Sequence, residues 1–322
     1  MSKPAANVAA ATIAALCLLA SACSRPSEDP DRLARLVPGD MLRTGAVRAG
    51  ACGDEGELTM VTGISAPALA ELYRSVRYDL DGIRNGDEDV PTILLADLPD
   101  DLGSVAPVDR RKALFLKAVL PAILFVDARI LEQRRFVESV RGRVKSGRRL
   151  DDGQQSKLAR LADCYGVEAD DIDGLLRHVD IVPPALGLAQ AAIESRWGTS
   201  RFARDGNAIL GQHTTSKNGI APTGIRNASF RVRSFGHLPE SVAAFVHNLN
   251  THPAYRAFRA LRARLRRDDR RIDSLALAGT LLRYSERRSD YVDEVRAVIR
   301  GNRLAPFDGA RLTGADADPR GI

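Results

Sequence analysis

Histidine and cysteine are scarce in this sequence. Its five histidines, His178, His213, His237, His247 and His252, form no H-E-x-x-H pair one helical turn apart, and its four cysteines include no C-x-x-C. Those spacings are the common ways for a chain to hold zinc, so no metal and no other cofactor is expected. Charge of one sign is also nearly absent as a net quantity, with 47 basic against 41 acidic residues and a balance of +6. That balance suits an anionic polymer or a membrane surface, and without a nucleic-acid recognition motif it gives no case for DNA or RNA. The apolar run Val8 to Ala20 is too short to span a bilayer comfortably. Between Gly206 and Pro239 there is not one Asp or Glu.

What the first residues do carry is a targeting signal. Lys3 supplies a charge, Val8 to Ala20 an apolar core, and Leu18-Leu19-Ala20-Ser21-Ala22-Cys23 closes it. The last six residues resemble a bacterial lipobox, with Ala20 where leucine is more usual. The resemblance implies a signal peptide over 1–22, a lipid on Cys23 and a periplasmic protein anchored to a membrane. Ser24 in place of aspartate favours the outer membrane over the inner. Ala20-Ser21-Ala22 would equally serve ordinary signal peptidase and plain secretion. Cys52 and Cys164 remain as an even pair in an oxidising compartment, and the sequence leaves their pairing open.

At 44% hydrophobic content the chain can bury one good core or two small ones. Residues 23–58 mix Pro, Gly and charge with little periodicity, which predicts a disordered tether. An α-rich extension is expected over 59–148. It holds a helix from Pro67 to Leu80, a short buried extended piece at Pro91 to Ala96, and a long helical stretch from Asp109 to Val144 kinked or broken at Pro121. A body domain is expected over 149–305 and a frayed, disordered tail over 306–322.

The most informative stretch is Val182 to Gly211, VPPALGLAQAAIESRWGTSRFARDGNAILG. A proline pair and a following glycine bracket a helix from Pro183 to Trp197. Ala185, Leu186, Leu188, Ala189, Ala191, Ala192 and Ile193 lie on every side of it, so the helix should be buried all round. Glu194 falls in its last turn, where the helix dipole and apolar walls both disfavour a carboxylate charge. A carboxyl held protonated by a shift to about 6 is what general-acid cleavage of a glycosidic bond requires. A solvated acid at a helix end fits the E-S-x-W-G motif equally well.

The run AQAAIESRWGTSRFA followed by GNAILG resembles the family 73 glucosaminidases, in particular their Bax-type branch, as do SVAAFVHNLNTHPAY (Ser241 to Tyr255), Arg259 to Arg262, and YSERRSDY (Tyr284 to Tyr291). The resemblance covers Val182 to Leu304, with echoes back to Val90. It implies a mainly α (α+β) fold, a lysozyme-like helical body with a small β-lobe after the catalytic helix. It also implies a peptidoglycan hydrolase cutting the β-1,4 bond after N-acetylglucosamine, with glycan strands as its partner. A lytic transglycosylase giving anhydro products, or a murein-binding lipoprotein without turnover, are the alternatives.

Glu194 and Tyr284 are the expected catalytic residues. Tyr284 matches the first tyrosine of the family's Y-A-x-x-x-x-Y segment, which is one residue longer here, so Tyr291 is expected to pack as well as to contact substrate. Gln190, one turn before Glu194, would orient the acid or bind substrate. Trp197 would stack on a sugar, wall the acid, or serve the core. Asn207 matches the family's N-N-x-F-G position, with Leu210 where phenylalanine is usual, and would bond a substrate acetamido group or hold the lobe. Asp205, Glu240 and Glu286 flank the region, yet nothing orients them toward Glu194, so the attack is assigned to the substrate's own 2-acetamido group or to a water. The arginines of Arg256 to Arg271 are expected on a solvated face.

Overall fold

The computed structural model describes residues 34–48, 52–53, 55–214, 219–221 and 231–314. The proposed signal peptide and Cys23 lie outside the described residues, as does the chain beyond Gly314. Among the described residues no helix is long and apolar enough to cross a membrane.

A hairpin occupies part of the expected tether. Strand β1 (Leu42–Arg48) pairs antiparallel with β2 (Glu55–Val61), Leu42 opposite Val61 and Arg48 opposite Glu55. Strand β2 buries Leu58, Met60 and Val61. Val61 then joins the 91–96 segment, donating to the Leu94 carbonyl at 2.9 Å and accepting from the Ala96 amide at 2.7 Å. The domain boundary expected at residue 59 therefore falls inside a strand. β1 is too polar to announce itself. A disulfide between Cys52, in the β1–β2 connection, and Cys164 ties the hairpin to the helical body, with Cα atoms 5.7 Å apart.

Helix α1 (Ala66–Ser75) and the short α2 (Leu80–Asn85) follow, capped by the side chains of Ser65 and Asp79. Helix α3 (Val108–Lys145) is the long one, and it runs unbroken through Pro121. An interior proline removes one backbone hydrogen bond and costs about 3 kcal/mol. Here the cost is offset by burial, because every residue from Leu114 to Val126 except Lys117 is buried. Helices α4 (Asp152–Tyr165) and α5 (Ile172–His178) lead to α6 (Pro184–Ser195). α6 is buried from Pro184 to Ala192 on all sides, as its alanines predict. It crosses α3 closely at Gly187, where an added Cβ would sit 3.1 Å from Ile123 Cδ1.

After α7 (Arg201–Gly206), strands β3 (His213–Thr214) and β4 (Arg231–Val232) form a small antiparallel ribbon. The ribbon covers a satellite cluster of Ala208, Val232 and Phe235. Four more helices complete the body: α8 (Leu238–Thr251), α9 (Arg256–Arg267), α10 (Ser274–Ala278) and α11 (Ser289–Gly301). The result is mainly α with a minor β part, the arrangement expected of a lysozyme-like body with a small β-lobe. One hydrophobic core runs continuously from Val37 to Leu312.

Over 306–314, the described part of the expected frayed tail, the chain is ordered, a second correction. Phe307 and Asp308 are buried, and Leu312 bridges to Val90. Asp308 caps α6 from a distance: its carboxylate accepts from the Ala185 amide at 2.9 Å and from the Ser274 hydroxyl and amide at 2.6 and 3.1 Å. Pro183 offers α6 no side-chain cap of its own, so this acid satisfies an amide that would otherwise be orphaned. Burial pushes Asp308 up to about 6, against the pull of those hydrogen bonds.

The arginine-rich α9 corrects a third expectation. Arg259 and Arg262 are buried rather than solvated. Arg262 donates to the carbonyls of Arg177, Asp180 and Ile181, at 2.7 to 3.2 Å, fixing the chain that enters α6. Burial would raise Asp180, but Arg262, Arg266 and Arg134 around it bring it below the ordinary carboxylate range.

Candidate active site

The last turn of α6 sets the site. Helix α6 ends in three consecutive left-handed residues, Arg196 (φ 51°), Trp197 (φ 59°) and Gly198 (φ 78°). The first two are not glycine, and each such residue costs on the order of 1 kcal/mol or more. Ser195, fully buried, holds the turn: its hydroxyl donates to the Ala191 carbonyl at 2.5 Å and accepts from the Gly198 amide at 2.8 Å. Glu194 is thereby fixed on a rigid helix end, half-buried, while the chain turns away from it.

Around Glu194 the hydrogen bonds run in one direction. Gln190 Nε2 donates to the Tyr291 hydroxyl at 3.0 Å, and that hydroxyl donates to Glu194 Oε1 at 3.0 Å. Oε1 is thus an acceptor, which leaves Oε2 as the oxygen to carry a proton. Gly211 lies against Oε2. It has φ 56°, and an added Cβ would stand 2.9 Å from Oε2, so the loop after α7 approaches the carboxyl this closely because position 211 has no side chain. Tyr284 stacks on Tyr291 with ring centroids 5.2 Å apart and planes 13° from parallel, and Tyr255 lies 6.0 Å from Tyr284.

Burial raises the Glu194 pKa, opposed by the Tyr291 hydrogen bond and the charge of Arg287, and assisted by Glu294. Burial also raises Tyr291 and Tyr284, so both phenols stay neutral. A carboxyl whose pKa is raised, set beside neutral hydroxyls, is suited to donate a proton. Glu294 is the other carboxylate that Glu194 senses, and it is paired with Arg287. Arg287 in turn lies over the Tyr291 ring, 5.7 Å from its centre.

The family model described as glucosaminidase, mannosyl-glycoprotein endo-beta-N-acetylglucosaminidase, matches residues 170–304. Protein bax of Escherichia coli (strain K12) is 32% identical over 212 residues, 64% of this chain and 74% of that protein. The chain belongs to the glucosaminidase family, in its Bax-type branch. That is a family of glycosidase-type enzymes. The catalytic domain of the autolysin Auto from Listeria monocytogenes is a more distant likeness, 15% identical over 54% of this chain and 86% of that one, with a TM-score of 0.31. At that level it adds nothing to the helical architecture.

In this member of the glucosaminidase family the residues singled out from sequence divide into two groups. Glu194, Gln190, Tyr291 and Tyr284 come together. Tyr291, in the first turn of α11, rather than Tyr284, holds the acid. The Tyr284 hydroxyl is directed to the Leu210 carbonyl at 3.4 Å. Gln190 is fully buried, so it orients the acid through Tyr291 and is not placed to touch a substrate. Trp197 goes elsewhere: its ring meets Phe115 at 5.7 Å and lies under the Lys112 ammonium at 4.9 Å, both on α3. That supports the core reading of Trp197 over a wall for Glu194. Asn207 ends α7 in a left-handed conformation and donates to the Phe235 carbonyl at 3.3 Å, holding the lobe.

Glu240 accepts from the Gly236 amide at 2.8 Å and sits near Arg233, and is occupied at the start of α8. Gly211, Arg287, Glu294 and Tyr255 were not picked out from sequence as site residues. For Gly211 a signal existed, since it closes GNAILG, but nothing in the string shows that it touches Glu194. As for a metal, Cys52, Cys164 and His247 have ligand atoms within 4.8 Å of one another, yet the two sulfurs are bonded to each other and offer no thiolate.

Proposed function

We propose that the protein hydrolyses peptidoglycan, cutting the β-1,4 bond after N-acetylglucosamine with Glu194 as general acid. The observation that carries this reading is the half-buried Glu194 carboxyl, raised in pKa and fixed by a donor chain from Gln190 through Tyr291. Glu194 Oε2 gives its proton to the bridging oxygen as the bond to C1 breaks. Tyr291 then stabilises the carboxylate left behind, because its hydroxyl already points at Oε1. Tyr284 braces Tyr291 by ring stacking. The β-lobe sequence offers no carboxylate, so the developing positive charge at C1 is met by the substrate's 2-acetamido oxygen or by a water, and water completes the cleavage. A lipid on Cys23 would hold this activity at a membrane facing the periplasm.

The test is a digest of purified murein with the full-length chain beside Glu194→Gln, read by mass spectrometry. Hydrolysis products appear with wild type and fall by roughly a hundredfold or more with the variant. Products lighter by one water assign a transglycosylase instead, and equal digestion by the variant overturns the role of Glu194.

A further inference from the structure

Among the described residues, sulfur and imidazole come together where the β1–β2 connection meets helices α4 and α8. Cys164 sits in the last turn of α4 and His247 in the middle of α8, and those two helices pack on each other. Cys52 reaches them from the hairpin connection. One ligand atom from each of the three residues lies within 4.8 Å of the others, and all three residues are half-buried, so the cluster is partly open to solvent. While the sulfurs are bonded to each other the cluster offers imidazole alone. His247 Nε2 then donates to the Cys164 carbonyl at 3.0 Å and stands 3.9 Å from Cys164 Sγ. Reduction changes the donor set to two thiols and that imidazole.

In tetrahedral zinc, bonds of about 2.3 Å to sulfur and about 2.0 Å to nitrogen set neighbouring ligand atoms roughly 3.5–3.8 Å apart. The separation of Cys164 Sγ from His247 Nε2 is close to that edge. With Cα atoms 5.7 Å apart, rotation of the two cysteine side chains brings the freed sulfurs to a similar one. Two of the ligands are held by packed helices, and the third is on a connection that can adjust. Hard cations such as magnesium and calcium call for oxygen donors, whereas thiolate with imidazole suits zinc. Two thiolates also cancel the charge of a divalent ion, which lowers the cost of half-burying the complex. We propose that the Cys52–Cys164 pair, once reduced, forms with His247 a zinc site that replaces the covalent tie between the hairpin and the helical body. A dithiol supplies the two electrons by thiol–disulfide exchange and leaves as its own disulfide, its two protons passing to Cys52 and Cys164. Zinc displaces those two protons as the two Zn–S bonds form, and the His247 proton moves from Nε2 to Nδ1, so two protons are released per ion. With three protein ligands, the fourth position goes to water.

The experiment uses the full-length chain with Cys17→Ser and Cys23→Ser, so that no other thiol competes. It is reduced with a phosphine, which takes up the oxygen of a water as the disulfide becomes two thiols. Cobalt(II) serves as a coloured probe for zinc. The reduced chain binds one equivalent of cobalt with a sulfur-to-metal charge-transfer band and the intense d–d bands of a tetrahedral site, and zinc bleaches both. Zinc itself binds more tightly than about 10 μM and raises the melting temperature of the reduced chain by several degrees. His247→Gln weakens zinc by at least about tenfold. In the oxidised state that variant melts as its parent does, which separates a lost ligand from a damaged helix. The proposal is overturned if the oxidised chain binds cobalt as well as the reduced one, or if His247→Gln binds zinc like its parent. It is overturned equally if the reduced chain, folded or not, gives no charge-transfer band with cobalt at about 100 μM.

Discussion

Glu194 is a residue kept in an unfavourable state by its neighbours, and that has a stability signature as well as a catalytic one. Its folded pKa lies above the ordinary value of 4.5, chiefly through burial. Folding thus favours the protonated form. The stability linked to this group is complete below that value and is lost as pH rises through the raised pKa. Glu194→Gln is neutral at every pH, so its melting temperature should equal or exceed that of wild type near neutrality, and the gap should close in acid. A thermal melt series from pH 4 to about 8 checks this. Tyr291→Phe removes a hydrogen bond that favours the charged form. The alkaline limb of the murein cleavage profile should therefore move to higher pH, while the maximal rate falls by about tenfold or more as the carboxyl loses its orientation.

At the scale of elements, two positions far apart in sequence hold α6 and the loop that meets it. Gly211→Ala places a methyl group 2.9 Å from Glu194 Oε2 at a residue with φ 56°. The loop must retreat, and activity should fall by about tenfold or more for a stability cost of about 1 kcal/mol. A split between a large rate effect and a small melting shift is the expected reading. Asp308→Ala leaves the first turn of α6 and the start of α10 without their common acceptor. We expect a loss of about 1–3 kcal/mol, seen as a melting temperature lower by several degrees. The hydrogen bonds from α9 act in the same sense, since Arg262 clamps the carbonyls just before α6. The sequence pattern that reads as a charged surface helix describes one face of α9; its buried face carries Phe258 and Leu265 beside Arg259 and Arg262, and the burial of those two arginines has no apolar signature in the string.

For the whole molecule, the hairpin, the helices and the C-terminal turn share one core, so the pieces should unfold together. The Cys52–Cys164 bond closes a separation of 112 residues, which by loop entropy corresponds to as much as about 4–5 kcal/mol. Replacing both cysteines by alanine should lower the melting temperature by several degrees while leaving cleavage at low temperature near wild type, since neither sulfur touches the Glu194 cluster. Deleting residues 306–322 should be worse, because it removes Phe307, Asp308 and Leu312 from the interior.

The helix bearing Glu194, its burial on all sides and its abrupt end were legible in the sequence, because proline, alanine and glycine act through local backbone geometry and volume. So were the acid itself and the absence of a partner carboxylate in the lobe. The polar hairpin, the tail and the buried arginines were not, since their order comes from partners distant in sequence: Val61 with Leu94, Val90 with Leu312, Asp308 with Ala185, Arg262 with Asp180. Which tyrosine reaches the acid was likewise decided in three dimensions. Tyr284 and Tyr291 look alike in the string, and the register in which α11 lies against α6 gives the hydrogen bond to Tyr291.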